Sequence, residues 1–457
     1  MLSADAFADL VADAAKKHGV PGLSAAFMRG DEVRSASNGV LNLRTQVEVT
    51  DESVFQIGSI TKVFTGTLVM QLVDEGRVDP DAPIRRYLPD LRIADAPVDD
   101  AVTVRRLLAH SSGIVGDFFA DTGRNDDATA LYVERCSELR YLTEPGRFFS
   151  YCNSGFNILG RLIEVISGTT WAKRLQEALL DPLEIDALND AEEALRFRAA
   201  VGHVLDDDGT LRLTPTCWLP RGTEAAGARL AMSPRALLAF ARLHLRDGVA
   251  PDGRRLLAAE TARAMRDLEV PLPADIAGPD GYGLSWQVYD SWRPKTVGHD
   301  GATIGQAAYL RVLPEWNAAV AVLTNAGSGG TAKAFDAILR ASVGSLGEAH
   351  IPVKPDATPA LPVDAARFAG TYETYMSRIV VTPSNGTLRA TVTQRNNDSL
   401  GDLPDHHLVL RPIDDHRFLA EDQPYGSTSV VGFTEFDRNG KARFLFTGFR
   451  LAERTSP

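Results

Sequence analysis

The sequence predicts an α/β protein in which a large mixed part is followed by a small all-β part, and three observations carry this prediction. Helical and strand patterns mix along the first 350 residues. Residues 352–363 then contain four prolines, which favour extended backbone and mark a linker. Beyond them, short alternating apolar runs are separated by turn pairs such as Asn385-Gly386 and Asn439-Gly440, typical of a small antiparallel sheet or barrel. We therefore divide the chain into 1–350, a linker at 351–363, and 364–457.

The composition limits the possible partners. A chain of 457 residues is too long for one ordinary core, and its net charge of −12 disfavours nucleic acid and anionic membranes, which need a basic face. The three cysteines, Cys136, Cys152 and Cys217, are too few for a disulfide framework and fit a reducing compartment. Since neither a Cys-x-x-Cys nor a His-x-x-x-His pair occurs, we expect no built-in zinc site. The sequence implies no other metal and no organic cofactor.

The N-terminus resembles a helix more than a targeting segment. Asp5, Asp9 and Asp13 interrupt what would have to be an apolar signal region, while the apolar residues recur at helical spacing. The chain also lacks an apolar run of about 18 residues, the length that suggests a membrane span. We expect an amphipathic surface helix and, if Met1 is the natural start, a cytoplasmic protein. A chain whose signal peptide had been removed would show the same pattern.

The large part contains several predicted elements in order. A buried strand is expected at 22–28, and an apolar stripe predicts a helix over 59–75 that Gly76 ends. A second helix is expected at 157–166 before Gly168. Two paired strands are expected at 307–313 and 318–323, joined by a turn at 314–317. In the small part, the strand-like runs are 372–381, 388–392, 408–410, 427–433 and 442–446.

The first motif with catalytic potential is Ser59-Ile-Thr-Lys62, the only Ser-x-x-Lys in the chain. A spacing of three residues places the lysine amine beside the serine hydroxyl on one helix face. A lysine whose pKa is lowered by burial can accept the serine proton, and the helix N-terminus stabilises negative charge. Taken alone the tetrad is weak, because a capped and solvated helix start would show the same residues.

The second motif is Tyr151-Cys-Asn153, the only Tyr-x-Asn in the chain, which precedes the predicted helix at 157–166. A tyrosine held near a lysine can ionise and pass protons between the nucleophile and the leaving group. The amide of Asn153 can hold a substrate carbonyl. The structural alternative is a core tyrosine beside a capping asparagine.

The third motif, His299-Asp300-Gly301, stands just before a predicted strand. A glycine there lets substrate lie against the strand edge, and a backbone N–H in this segment can join that of Ser59 in an oxyanion hole. The alternative is a polar turn. The three motifs together are much stronger evidence for catalysis than any one of them. Each is unique in the chain, and they occur in the order Ser59, Tyr151, His299.

With these motifs the chain resembles the serine β-lactamase and penicillin-binding-protein superfamily, in its class C β-lactamase-like branch. The resemblance covers about residues 5–345 and includes further stretches: 55–59, 107–113, 145–146, 225–227 leading to 233, 281–283 and 323–326. It implies a β-lactamase/transpeptidase-like fold, in which an antiparallel sheet is flanked by helices and joined by an all-helical region. The C-terminal part, opening at 368–373 and closing at 448–450, resembles the lipocalin-like β-barrel that some members carry.

The resemblance also implies roles for individual residues. Ser59 would be the acylated nucleophile, and Lys62 and Tyr151 the proton-transfer pair. Asn153 would contact the substrate amide, and the N–H groups of Ser59 and Ala302 would form the oxyanion hole.

His299 stands where many relatives have lysine, within His-Asp-Gly instead of Lys-Thr-Gly, which argues against strong β-lactam binding. Asp300 adds a carboxylate that could orient His299 or a substrate amine, and Gly301 would border the substrate. In the C-terminal part, Arg450 could present its fork to a substrate carboxylate, although a structural arginine is the alternative.

Three functions remain open from the sequence. The chain is closest in resemblance to penicillin-binding-protein-type thioesterases, which release a nonribosomal peptide from a carrier-bound thioester and close it head to tail. Its partner would then be a peptidyl substrate on the carrier protein of a nonribosomal peptide synthetase. We expect neither nucleic acid nor a membrane as a partner. The second candidate is a cytoplasmic hydrolase of esters or D-amino-acid amides and peptides. A non-catalytic binding module is third, although it would not need the complete Ser59, Lys62 and Tyr151 set, and a cell-wall peptidase ranks lower.

Overall fold

The computed structural model describes residues 1–206, 209–273, 278–327, 329–353, 356–357, 363–384, 387–395, 405–423 and 428–456. The predicted turn Asn385-Gly386, Ser427 and much of the predicted linker 351–363 lie outside these residues. The division at 1–350, 351–363 and 364–457 therefore stays a prediction. The fold class itself is confirmed, with a mixed α/β part followed by a closed antiparallel barrel.

The described residues form nine α-helices, all in the large part. Their bounds are α1 (Ala4–Lys17), α2 (Thr61–Asp74), α3 (Val104–Leu108), α4 (Ala128–Arg135), α5 (Asn153–Ser167), α6 (Trp171–Leu175), α7 (Pro234–Leu245), α8 (Ala259–Ala264) and α9 (Gly329–Gly344). None of them combines the length and the apolar character that crossing a bilayer requires, and α9, the longest, has only 16 residues where about 20 are needed.

The strands divide between the two parts. The large part holds β1 (Gly22–Arg29), β2 (Glu32–Gly39), β3 (Phe55–Gln56), β4 (Arg92–Ile93), β5 (Ala96–Pro97), β6 (Ala187–Leu188), β7 (His203–Leu205), β8 (Leu211–Leu213), β9 (Ala231–Met232), β10 (Val270–Pro271), β11 (Gly281–Tyr282), β12 (Gln287–Tyr289), β13 (Thr296–Thr303), β14 (Gln306–Leu313) and β15 (Ala318–Thr324). The small part holds β16 (Gly370–Glu373), β17 (Ser377–Ser384), β18 (Thr387–Gln394), β19 (His406–Pro412), β20 (Arg417–Gln423), β21 (Thr428–Phe436), β22 (Ala442–Thr447) and β23 (Arg450–Ser456).

An antiparallel sheet of eight strands organises the large part, in the order β10-β11-β12-β13-β14-β15-β1-β2. The sequence predicted β1 and the β14–β15 hairpin, whose turn ends at Asn317 in the left-handed conformation (φ 47°). The His299-Asp300-Gly301 motif precedes β14, the predicted strand, as expected, but it lies within a strand of its own, β13, and pairs with residues 308–310 of β14. The motif is therefore fixed by backbone hydrogen bonds on a rigid sheet.

Helix α2 lies at the centre of the large part. The sequence predicted a helix over 59–75 with one apolar stripe, but every residue from 61 to 72 is buried, so the helix is covered on all sides. A short 3₁₀ segment, Gly58–Ile60, leads directly into α2 and carries Ser59. Gly66 allows Ser285 to approach, since a Cβ at position 66 would lie 2.0 Å from the Ser285 hydroxyl oxygen.

Helix α1 confirms the predicted amphipathic N-terminal helix. It buries Phe7, Val11, Ala14 and Ala15 in a second core on the outer face of the sheet, which α9 also covers. Helix α5, predicted at 157–166, begins earlier at Asn153 and ends at Gly168, whose φ of 73° suits glycine.

The small part is a closed barrel of eight antiparallel strands in sequential order, β16 to β23. The run 372–381, predicted as one strand, is two strands, because the chain turns between Glu373 and Ser377. Aromatic and aliphatic side chains such as Phe368, Tyr372, Phe418 and Phe433 fill a core of their own. The barrel interior is thus a packed core.

The last hairpin of the barrel, residues 447–450, reaches into the large part. The backbone N–H of Tyr151 donates to the carbonyl of Phe449 at 2.8 Å, and the N–H of Leu451 donates to the Ser150 hydroxyl at 3.3 Å. A shared apolar cluster that includes Phe149 and Phe446 lies beneath these hydrogen bonds. The barrel is therefore attached directly beside the second motif.

Candidate active site

Ser59 and Lys62 face each other as their spacing predicts. Lys62 Nζ donates to Ser59 Oγ at 3.0 Å and to the backbone carbonyl of Ala226 at 2.6 Å. The second bond fixes the amine in position, since Ala226 belongs to a short 3₁₀ segment, Arg221–Ala226, packed against α2. Nothing in the sequence marked Ala226 as a partner, because the contact joins residues 164 positions apart.

The surroundings of Lys62 favour its uncharged amine. The side chain is 0% exposed, and its Nζ lies 4.9 Å from the centre of the Tyr151 ring and 5.7 Å from that of Phe156. Burial holds the pKa of Lys62 well below its usual range, and the positive charge of Arg450 lowers it further, while Asp117 opposes the shift. A lysine in this state can accept the proton of Ser59.

Tyr151 is buried beside the same pair. Burial raises the pKa of its phenol above the usual range, and the interactions with Ser59 and Arg450 only partly oppose this rise. The sequence suggested that Tyr151 ionises near a lysine, but the structure favours the protonated phenol. Tyr151 is thus placed to donate a hydrogen bond or relay a proton, with Lys62 as the stronger base.

His299 is buried on β13 and electrically neutral. Its Nδ1 lies 2.6 Å from the carbonyl oxygen of Asp300, which can only accept, so Nδ1 carries the hydrogen and Nε2 is the acceptor. Burial lowers the pKa of His299 to about 3, with a further contribution from Lys62. The ring therefore presents a neutral hydrogen-bond acceptor beside the cavity, and not a positive charge.

The Asp300 carboxylate does not orient His299, which corrects the sequence interpretation. It forms an ion pair with Arg311, at 2.6 Å to one guanidinium nitrogen and 3.3 Å to another, and only its backbone carbonyl contacts the imidazole. Asp300 borders the active-site cavity, but its charge is already balanced by this buried arginine.

Gly301 and Ala302 lie against the segment that carries the nucleophile. A Cβ at position 301 would lie 1.9 Å from the Ile57 carbonyl oxygen and 3.1 Å from the Ser59 nitrogen, and one at position 58 would lie 2.5 Å from the Ala302 nitrogen. Only glycine fits at 301. This close approach brings the backbone of β13 alongside Ser59, the arrangement that the expected oxyanion hole of the Ser59 and Ala302 N–H groups requires.

Asn153 and Arg450 meet at Asp117, a residue that the sequence interpretation missed. Asn153 Nδ2 donates to Asp117 Oδ1 at 2.7 Å, and Asn153 borders the active-site cavity. Arg450 pairs with Asp117 through Nε and a terminal nitrogen, and its other terminal nitrogen donates to the Gly448 carbonyl at 2.7 Å. The fork of Arg450 is therefore engaged, which corrects the expectation that it waits for a substrate carboxylate.

His110 contacts both Tyr151 and the neighbouring Cys152. Its Nδ1 accepts a hydrogen bond from the backbone N–H of Cys152 at 3.0 Å, and its ring stacks on Tyr151 with centroids 4.2 Å apart. These contacts hold the Tyr151 ring and the backbone of Cys152 in place. Cys152 packs inside the protein, where its sulfur caps α5 by accepting from the Gly155 N–H, and it does not face the site.

One cavity of about 560 Å³ is bordered by at least one residue of each motif, among them Ser59, Tyr151 and His299, together with Phe449 and Arg450 from the barrel. Lys62 lies behind Ser59, fully buried, and is not part of the lining. Within the described residues, no group of three or more His, Cys, Asp or Glu is arranged to hold a metal ion. The arrangement combines a nucleophile, an adjacent base, a phenol and backbone donors, which together suit acyl transfer.

Comparison with known proteins agrees with this geometry. The family model described as Beta-lactamase matches residues 7–345, so the chain belongs to the β-lactamase family. Penicillin-binding protein 4 of Amycolatopsis lactamdurans is 41% identical over 371 residues, which cover 78% of this chain and 94% of that protein. Members of this family are serine hydrolases and acyltransferases, the class of enzyme to which we assign the chain.

Two solved structures extend the comparison. SurE, also solved with D-Leu, matches with a TM-score of 0.74, and the alignment covers 99% of both chains at 27% identity. The D-amino acid amidase of Ochrobactrum anthropi SV3 matches with a TM-score of 0.62 and 25% identity, covering 75% of this chain and 98% of that one. The likeness to SurE therefore includes both the large part and the barrel.

Proposed function

We propose that this protein is a penicillin-binding-protein-type thioesterase that releases a nonribosomal peptide from a carrier-bound thioester and closes it head to tail. The observation that carries the proposal is the hairpin 447–450 of the barrel, which borders the catalytic cavity beside Tyr151. The match to SurE over 99% of both chains supports it, and the D-Leu bound to that protein suggests a substrate with a D-residue at its activated end.

In the proposed reaction, the neutral amine of Lys62 takes the proton of Ser59, and Ser59 Oγ attacks the thioester carbonyl. The N–H groups of Ser59 and Ala302 stabilise the oxyanion, and the carbon–sulfur bond breaks as the thiol leaves with the proton, relayed through Tyr151. The N-terminal amine of the same peptide then attacks the acyl-serine. A carbon–nitrogen bond forms, the ester bond between the acyl carbon and Ser59 Oγ breaks, and the amine proton returns to Ser59 Oγ through the same groups.

The other groups have supporting roles in this proposal. Asn153 holds a substrate amide with its carboxamide oxygen, and the neutral His299 and Gly301 border the acyl chain on β13. Arg450 and Asp300 act through their ion pairs instead of binding substrate charge directly. The partner is a carrier-bound peptidyl chain, which would place the enzyme in the cytoplasm.

Hydrolysis of a D-amino-acid amide or ester is the second candidate, supported by the likeness to the D-amino acid amidase. The same groups would act, with water as the acyl acceptor. That likeness covers 75% of this chain, so about a quarter of the chain has no counterpart in the amidase.

Mass spectrometry of reaction products tests the proposal. The substrate is a linear peptidyl thioester with a free N-terminus and a D-residue at the activated end. We expect wild type to yield a product one water lighter than the linear acid, and an acyl adduct on Ser59 in the intact protein. Ser59→Ala should yield neither. Ser37→Ala, which trims another half-buried serine on the edge strand β2, serves as the matched control and should behave as wild type. Linear acid alone would refute cyclisation and favour the hydrolase.

A further inference from the structure

A second, larger cavity of about 920 Å³ lies next to the active-site cavity. Phe119 and Leu219 line both, so the two spaces share a wall. Each volume is comparable to the roughly 300–1,000 Å³ of a cavity that holds one drug-sized ligand. The first cavity alone is large enough for a single amino-acid ester or amide, so the second has no use in a reaction on such a small substrate.

The shared wall lies on the Asn153 side of the active site. The hydrogen bond from Asn153 Nδ2 to Asp117 fixes the segment that continues directly to Phe118 and Phe119. Asn153 is the residue to which we assign the substrate amide. An acyl chain that passes Asn153 as it leaves Ser59 is therefore led along Phe119 towards the second cavity.

The walls of the second cavity suit a peptide. Phe118, Trp218 and Tyr375 supply aromatic surface, and Tyr375 comes from the barrel, where its ring meets Phe118 edge to face at 5.8 Å. Such surfaces bind apolar and aromatic side chains. The barrel thus contributes to this cavity as well as to the catalytic one.

The charges around the second cavity cancel. It is lined by four arginines and four acidic residues: Arg124, Arg135, Arg221, Arg229, Asp121, Glu138, Asp190 and Glu192. Arg135 pairs with Glu138 at 2.7 Å, and the buried Arg229 lies 3.7 Å from Asp190. Arg221 pairs with Asp126, which is outside the lining, at 2.8 Å. A lining with equal numbers of basic and acidic side chains offers hydrogen-bond donors and acceptors to backbone amides and has no excess positive charge that would select an anion.

We propose that the second cavity binds the peptidyl part of the acyl donor, upstream of the reacting carbonyl, and so selects long peptidyl donors over single residues. This inference rests on the proposed function and names the substrate class of the same site. Remote binding of this kind raises the acylation rate only when the donor carries the extra residues.

The test compares two thioesters that end in the same D-residue, one with a single residue and one with six apolar and aromatic residues. Both are acetylated at the N-terminus, so that neither can cyclise, and release of the thiol reports acylation of Ser59. For wild type we expect kcat/KM to be about a hundredfold higher for the longer donor. Equal values for the two donors would overturn the inference and leave the proposed function standing.

Three variants locate the effect. Trp218→Ala removes an aromatic side chain from the cavity wall, and Ala191→Trp fills the cavity from a half-buried position. Each variant should reduce the ratio of kcat/KM for the long donor to kcat/KM for the short donor about tenfold. Trp316→Ala removes a half-buried tryptophan outside the linings of both cavities and should leave the ratio unchanged. An unchanged ratio in both cavity variants would also overturn the inference.

Two further outcomes are informative. If the cavity variants slow ring closure of an unblocked peptide without changing acylation by the blocked one, the cavity binds the attacking end, and the inference is wrong. If wild type is acylated by neither thioester, the proposed function itself fails, which is distinguishable from failure of the cavity assignment alone.

Discussion

Arg450, at the start of the last barrel strand, forms an ion pair with Asp117 of the large part through two guanidinium nitrogens, one of them 3.0 Å from Oδ1. The same Asp117 oxygen accepts the hydrogen bond from Asn153. The Arg450 guanidinium also lies 5.1 Å from the centre of the Tyr151 ring. One ion pair thus connects the barrel to a proposed substrate-binding amide and to a member of the proton-transfer pair.

Because Arg450 and Asp117 carry opposite charges near Lys62, we expect Arg450→Ala and Asp117→Asn to shift the pH dependence of acylation in opposite directions. Activity requires the uncharged amine of Lys62, so the rate falls as pH drops through the pKa of Lys62. Arg450 lowers that pKa, and Asp117 raises it. Arg450→Ala should therefore move the acidic limb to higher pH, and Asp117→Asn should move it to lower pH. The measurement is the pH profile of thiol release; shifts in the same direction would contradict the electrostatic role.

Replacement of Lys62 should separate activity from stability. Lys62→Met removes the base, and we expect acylation to fall by about 10²–10⁴-fold. Because the amine is fully buried among aromatic rings, the methionine variant should be as stable as wild type or more so. Thiol release and urea denaturation measure the two quantities. Lys62→Arg should also be inactive, since its guanidinium does not lose its proton, and an active arginine variant would exclude Lys62 as the base.

Gly301→Ala tests the close approach between β13 and the nucleophile segment. The new Cβ would lie 1.9 Å from the Ile57 carbonyl, which belongs to the backbone and cannot rotate away. We expect the strand to shift and acylation to fall about a hundredfold, a loss comparable to that of one oxyanion-hole donor. Gly344→Ala is the matched control, because nothing lies within 4 Å of a Cβ added there. Equal behaviour of the two variants would remove the argument for an oxyanion hole at this position.

His299 should remain neutral throughout the working range of the enzyme. Its pKa is lowered to about 3, chiefly by burial, so above about pH 4 the ring carries a single hydrogen, on Nδ1. Nitrogen NMR of the labelled imidazole should show the Nδ1–H tautomer unchanged from pH 5 to pH 8. A titration within that interval would contradict the neutral state that we assign to His299.

Glu224 should make stability depend on pH. Its side chain is 3% exposed, and burial raises its pKa from 4.5 to about 7, although Arg221 and Asn189 oppose the shift. The folded protein therefore holds more protons than the unfolded chain between pH 4.5 and pH 7, so the free energy of unfolding falls as pH rises through this window. At about 1.4 kcal/mol per pKa unit, the change is about 3 kcal/mol.

Denaturation of Glu224→Gln at several pH values checks this expectation. Glutamine mimics the protonated acid and can still accept the hydrogen bond from Asn189, which is 3.1 Å long in the structure. The variant should lack the decline between pH 4.5 and pH 7 and be more stable than wild type above pH 7. A variant with the same slope as wild type would show that other groups produce it.

The elements that the sequence predicted correctly depend on short-range patterns. The helix after Ser59, helix α5 before Gly168 and the β14–β15 hairpin follow from periodicity and turn residues only a few positions apart. The Ser59–Lys62 contact belongs to the same class, because a spacing of three residues in a helix brings the two side chains together. The sequence also predicted a β-rich C-terminal part, since its alternating runs repeat at short intervals.

The tertiary structure decided which groups those residues meet. Asp117 pairs with Arg450, which is 333 positions away in the sequence, and the Ala226 carbonyl accepts a hydrogen bond from Lys62, which is 164 positions away. A pattern among neighbouring residues cannot predict contacts between positions so far apart. The tertiary structure also decided the charge states. Burial and neighbouring charges keep His299 neutral and favour the uncharged amine of Lys62, and burial keeps the phenol of Tyr151 protonated. The sequence by itself determined which chemical groups are present and which lie together on one helix. Only folding determined their partners and protonation, because both depend on contacts between distant segments and on exclusion of water.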